Sequence, residues 1–188
     1  MKMISFKDTV NDVLNELNKS LSRINQEQIR DLVSLLLKAD KIFFVGVGRV
    51  MLMMQAAAKR LKHLGIDTHV VGEITEPPIT EKDILVIGSG SGESIIPLCI
   101  AQKSKKYGVK IIHITANPSG SISKISDLVI KIPSPTKLHL PDEVKSIQPM
   151  TTLFEQSLLI LMDCISMMII KEKKLEPEFI VKNHANLE

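Results

Sequence analysis

Residues 84–94 read ILVIGSGSGES, and the fold of the whole chain is built outward from them. Four apolar residues, Ile84 to Ile87, run into Gly88. A short apolar run without alternation is the pattern of a strand buried on both faces, as in a parallel sheet. Ser89, Gly90, Ser91, Gly92, Glu93 and Ser94 follow, and a helical pattern starts at Ile95. A strand that ends in such a loop and opens onto a helix N-terminus makes an anion site. The glycines let backbone N–H groups approach a ligand, and the helix dipole favours negative charge. The hydroxyls of Ser89, Ser91 and Ser94 can donate to phosphate oxygens. No lysine follows the second glycine, which excludes a nucleoside-triphosphate loop. The expected ligand is one phosphate carried on something small. The plainer alternative is a ligand-free turn, but two glycines and three serines in six residues exceed what a turn requires.

The strands and helices around this stretch follow a regular order. Two amphipathic helices come first, over residues 4–24 and from Asn25 to about Ala39, the second opened by an Asn25/Gln28 capping pattern. The first helix has no sheet face of its own to cover, which points to packing on a partner subunit. KIFFVG (41–46) reads as a strand, and the turn Gly46-Val47-Gly48-Arg49-Val50 leads into a helix over 51–64 that Gly65 stops. A short strand at 68–71 precedes a loop over 72–82, where Pro77 and Pro78 bar helix. After the central stretch come a helix over 95–107, a strand at 110–115, a helical turn at 121–125 and a strand at 127–132. Residues 133–148 carry three prolines and form a long loop, and loops of that length are often functional. Pro149 suits a helix first turn, and 150–173 is helical and apolar on most of its circumference, so both sides are buried. A short helix at 177–182 and a polar tail end the chain. Strand alternating with helix predicts an α/β fold: a three-layer sandwich around a five-stranded parallel sheet, as one domain over 1–188 with a helical extension at 4–39 and a terminal helix and tail at 150–188.

Composition narrows the function. In 188 residues the hydrophobic fraction is 44% and the charged fraction 24%, ordinary for a globular chain. A net charge of +3 and 3% aromatics give no basic patch with stacking platforms, so nucleic acid is not expected as a partner. Charges at Lys7, Asp8 and Asp12 interrupt any leader-like run, and Asp163 breaks the apolar run 158–162, so no run is expected to span a bilayer. Cys99 and Cys164 sit in helical apolar patterns and read as buried free thiols, which points to the cytoplasm. His63, His69, His113 and His139 lack metal-ligand spacing and read as structural or exposed.

FVGVGR (44–49), KRLKHLG (59–65), VGEITEPP (71–78), GSGSGES (88–94), IQPMTTLFEQ (147–156) and NHANLE (183–188) together resemble the sugar isomerase (SIS) domain family, with its flavodoxin-like architecture. LFEQ with the terminal HANLE is more specific and resembles the 6-phospho-3-hexuloisomerase subgroup. The resemblance covers nearly the whole chain. It implies an aldose/ketose-type isomerisation between 3-hexulose 6-phosphate and fructose 6-phosphate in a homotetramer, with neither a metal nor an organic cofactor. By the same resemblance Ser89, Ser91 and Ser94 bind phosphate. Glu155 is the base that moves a proton through an enediol, and His184 enters a neighbouring subunit's site to help open the sugar ring. Gly48, Arg49 and Glu73 border the pocket. The chain also departs from the family pattern. Val50 and Met51 stand where Ser and Gly are usual, Thr151 replaces a glycine, and Ser94 replaces a threonine. Loss of one hydrogen bond to a charged group costs about 1.5–3 kcal/mol. The departures therefore leave open a different sugar phosphate, such as a pentose phosphate, or a binding module without turnover.

Overall fold

The computed structural model describes residues 5–187. Its elements in order are α1 (Phe6–Leu21), α2 (Gln26–Lys38), β1 (Ile42–Val45), α3 (Gly48–His63), β2 (Thr68–Val70), β3 (Ile84–Gly88), α4 (Ile95–Ser104), a 3-10 turn (Lys105–Tyr107), β4 (Lys110–Thr115), α5 (Ser121–Lys124), β5 (Leu128–Lys131), α6 (Thr152–Lys173) and α7 (Pro177–Lys182). The strands form one parallel sheet in the order β2-β1-β3-β4-β5. Successive strand residues point to opposite faces. Ile42, Phe44, Ile84, Val86, Ile112 and Ile114 therefore pack on one side, against α2, α3 and α6. Phe43, Val45, Leu85, Ile87 and Ile111 pack on the other, with Ala101 of α4 and Ile122 of α5. The result is the expected three-layer α/β/α sandwich.

The helices end where local chemistry ends them. Asn25 Oδ1 accepts from the N–H groups of Glu27 at 2.8 Å and Gln28 at 3.2 Å, which starts α2. Gly65, with φ +75°, closes α3.

Several expectations are corrected. Helix α3 begins at Gly48, three residues before the expected Met51, because the turn after β1 is itself the helix start. Pro149 lies ahead of α6 and not in its first turn; Met150, at φ +53°, redirects the chain into the N-cap residue Thr151. Both cysteines are exposed. They fall on outward positions of α4 and α6, where a helical pattern apolar on nearly every side gives no face to read. Helix α6 is long and apolar enough, by length and composition, to cross a bilayer. Its Phe154, Leu158, Met162, Ile165 and Ile169 are buried in the core, which accounts for that apolarity.

The first helix packs on its own chain. Leu17 of α1 meets Leu153 of α6 and Val144 of the preceding loop. Buried Glu16 clasps that loop, accepting from Ser146 Oγ at 2.6 Å, Ile147 N–H at 2.7 Å and Gln148 Nε2 at 3.0 Å. Its outer Phe6 and Leu14 stay exposed. The expected start of this helix at residue 4, and Glu188 of the terminal motif, lie outside the described residues.

Candidate active site

The C-terminal ends of β1 and β3 are neighbours, with Val45 in register with Ile87. The chain leaves β1 toward β2 on one side and β3 toward β4 on the other. A crevice opens where connections diverge in this way, and ligands of such sheets bind there. The turn after β1 and the loop after β3 both face it.

The loop after β3 is held from below. Ala116 N–H donates to the Gly90 carbonyl at 3.2 Å, and Ile122 N–H to the Gly92 carbonyl at 3.1 Å. The Asn117 side-chain amide donates to the Ser91 carbonyl at 2.9 Å. Glu93 reaches across to accept the Ser121 N–H at 2.7 Å, and the hydrogen bonds from Ser121 hold its carboxyl below the ordinary value. Gly92 takes φ +70°, a conformation L side chains rarely adopt. Beneath the loop His113 is fully buried, with Nδ1 2.8 Å from Ser123 Oγ. Burial pushes its pKa down to about 4, only partly opposed by a weak contact with the Ser89 backbone. The packing of Asn117, Glu93 and His113 under this loop is not apparent from local sequence pattern. The Asn-Pro-Ser-Gly turn at 117–120 is the one trace of it.

The three serines differ in their settings. Ser89 is buried, its hydroxyl 3.0 Å from that of Ser94. Ser91 is exposed, and its hydroxyl accepts the Glu93 N–H at 3.2 Å. Ser94 is the N-cap residue of α4 but makes no side-chain cap bond. Val47, the N-cap of α3, makes none either. Both helix starts therefore present N–H groups with no side-chain cap to the crevice.

Helix α6 closes the crevice from the sheet's α3 side. A Cβ on Gly90 would lie 3.3 Å from the Phe154 ring, so the glycine loop rests on the first turn of α6. The next residue, Glu155, is buried, 5% exposed. Its Oε2 accepts from Arg49 Nε, and its Oε1 accepts from the Thr151 hydroxyl at 2.8 Å. Arg49, the second residue of α3, is largely exposed beyond this contact, its side chain 64% accessible. Gly48, ahead of it, has φ +55°. Val50 packs on the foot of the loop: its Cγ1 lies 2.8 Å from where a Gly88 Cβ would sit. The structure thus brings Gly48, Arg49, Glu155 and the serine loop to one crevice.

Two other candidates lie elsewhere. Glu73 is exposed after edge strand β2, its carboxylate 3.5 Å from the Val70 N–H, in a shallow groove with Gln55, Lys59 and Lys62. His184 stacks on His63 at the far end of α3, ring centroids 4.8 Å apart, and is exposed. The fifteen steps from Gly48 to His63 span roughly 22 Å of helix, so His184 and Glu155 are not brought together within one chain. Among the described residues no His, Cys, Asp or Glu cluster converges in a way that would hold a metal ion.

A family model described as SIS domain matches residues 35–160. The 3-hexulose-6-phosphate isomerase of Bacillus subtilis (strain 168) is 40% identical over 95% of this chain and 97% of its own. The enzyme of the same name from Mycobacterium gastri is 31% identical over 94% and 88%. A crystal structure of a hypothetical protein from Methanococcus jannaschii, described as inferring a molecular function of 3-hexulose-6-phosphate isomerase, superposes with a TM-score of 0.81. It is 33% identical over 96% of this chain and 99% of that one.

Proposed function

Because this chain belongs to the SIS domain family, we propose that the crevice between β1 and β3 interconverts 3-hexulose 6-phosphate and fructose 6-phosphate. The chain is a phosphosugar isomerase: relatives named for that activity match it across nearly their whole length. The observation that carries the reading is a buried carboxylate, Glu155, on the helix turn against which the glycine-serine loop rests.

The sugar's phosphate sits on the serine loop, where hydroxyls and the start of α4 offer donors. Glu155 takes the proton from C2 of the 3-hexulose, leaving a 2,3-enediol, and returns it to C3. The O2 proton passes to O3 in the same exchange, so the carbonyl moves by one carbon and no atom is gained or lost. The Arg49 guanidinium lies beside this carboxylate and offers positive charge to the developing oxyanion. His184, at the other end of its own α3, serves the site of a second subunit in a homotetramer. Exposed Phe6, Leu14, Ile95 and Ile96 supply apolar surface for such an assembly. Two unpaired cysteines suit the cytoplasm.

An isomerase assay over hexulose and pentulose phosphates tests this. Glu155→Gln should abolish turnover with phosphosugar binding nearly intact, and mixing it with inactive His184→Ala should restore activity in hybrid oligomers. Unchanged turnover in Glu155→Gln removes the base. No turnover of any sugar phosphate by the unmodified chain moves the reading to a phosphosugar sensor.

A further inference from the structure

We infer that Thr151 is a positioning residue for this isomerase: its hydroxyl holds the Glu155 carboxylate in the orientation that removes the substrate proton. The inference rests on the reading of Glu155 as base. Glu155 has three side-chain torsions and, with Oε1 and Oε2, two oxygens that must be aimed. Each oxygen has one partner of a different kind. Oε2 is held by Arg49, whose side chain is 64% accessible and stands at the mouth of an anion crevice. A bound phosphosugar competes for that guanidinium, so Arg49 is a poor permanent anchor. Oε1 is held by Thr151, at 2.8 Å. Thr151 has one side-chain torsion to the hydroxyl oxygen, stiffened by branching at Cβ. Its backbone is fixed as the N-cap of α6, where its carbonyl accepts the Glu155 N–H at 3.1 Å. Base and anchor are therefore tied twice within one helical turn, independently of anything the ligand does.

The hydroxyl is also free for this task. An N-cap threonine ordinarily turns its oxygen to the N–H groups of its own helix, and Thr151 makes no such bond. The second lone pair on each carboxylate oxygen remains to accept the substrate proton. A glycine at 151 could not make this contact, so a chain with threonine there holds its base more tightly than one without.

The experiment separates hydroxyl from shape. Thr151→Val keeps the branched side chain and loses the hydroxyl, while Thr151→Ser does the reverse. The Val variant should lose roughly tenfold or more in kcat, as expected for a misaimed catalytic group, with KM for the phosphosugar within about twofold. The Ser variant should keep kcat within about threefold. Full turnover in the Val variant, or a fall in Ser that Val does not share, overturns the role of the hydroxyl. If Thr151→Val is unimpaired while Glu155→Gln is dead, only the positioning role fails. If Glu155→Gln itself turns over normally, the base assignment fails and takes the positioning role with it.

Discussion

Acid should weaken this protein through His113 before its carboxylates respond. The ring is fully buried beneath the glycine-serine loop, and burial holds its pKa at about 4, against an ordinary 6.5. In the unfolded chain His113 takes a proton below 6.5, while in the folded chain it stays neutral until about 4. The unfolded state therefore binds more protons within that window, and stability falls as pH drops through it. Each pH unit below 6.5 costs about 1.36 kcal/mol until the folded value is approached. Between pH 7.5 and 5.0 the loss is about 2 kcal/mol, and it is similar even if the folded value lies a unit higher. The buried and bridged carboxylates respond lower down. Glu16, Asp67 and Asp127 have depressed pKa values, so the stability they add is lost only below the ordinary values of 4.5 and 3.8. The assay is urea unfolding at fixed protein concentration at the two pH values, in the unmodified chain and in His113→Phe. The unmodified chain should lose roughly 1 M in midpoint, and the Phe variant should lose far less over the same interval. Equal pH dependence in both proteins would refute the reasoning, because it would show that the ring is not buried neutral.

Two further outcomes follow from contacts far apart in the chain. Glu16→Gln replaces the charged acceptor that holds residues 146–148, and should cost about 1.5–3 kcal/mol in urea unfolding, with the melting temperature falling accordingly. Val50→Ser puts a hydroxyl at the foot of the anion loop, and should lower KM about tenfold with kcat unchanged, at a small loss of thermal stability; steady-state kinetics on the hexulose phosphate checks it.

The sheet was legible because its signals are local. Residues 84–94 carry an apolar run, a glycine and a helix start in sequence, and the structure gives β3 and α4 where they indicate. Asn25 and Gly65 mark helix boundaries by chemistry that depends on a few neighbours only. What could not be read depends on distance or on direction. Glu16 stands on the polar side of an amphipathic helix, and its burial is decided by residues 130 positions away. Helix α6 is apolar almost all round, so its pattern could not show that Glu155 is buried or that Cys164 faces out. Residue 151 stood out as a departure from the family pattern, yet its bond to Glu155 is a matter of side-chain direction, which spacing cannot supply. The place of His184, stacked on His63, is likewise a tertiary fact.

Two helix starts at the crevice have polar N-cap residues that do not serve their own helices. Helices α1 and α2 lie away from the crevice, and both are capped by side chains: Ser5 accepts the Asp8 N–H, and Asn25 those of Glu27 and Gln28. Helices α3, α4 and α6 border the crevice and have no side-chain cap; the short helices α5 and α7, with Gly120 and Glu176 at their N-caps, have none either. At α3 the N-cap is Val47, which has no group to offer. At α4 and α6 the N-cap residues are Ser94 and Thr151, good capping residues whose oxygens are turned elsewhere, one to Ser89 and one to Glu155. A missing cap costs roughly 1 kcal/mol, so Ser94 and Thr151 together forgo about 2 kcal/mol. Packing alone does not explain why polar N-cap residues should leave their own helices unserved. An anion arriving at the crevice would supply what is missing, by accepting from the N–H groups that the side chains leave open. If the crevice takes the phosphate proposed for it, the stability forgone at these two helix starts would be recovered on binding, and the loop would gain affinity for an anion without a lysine.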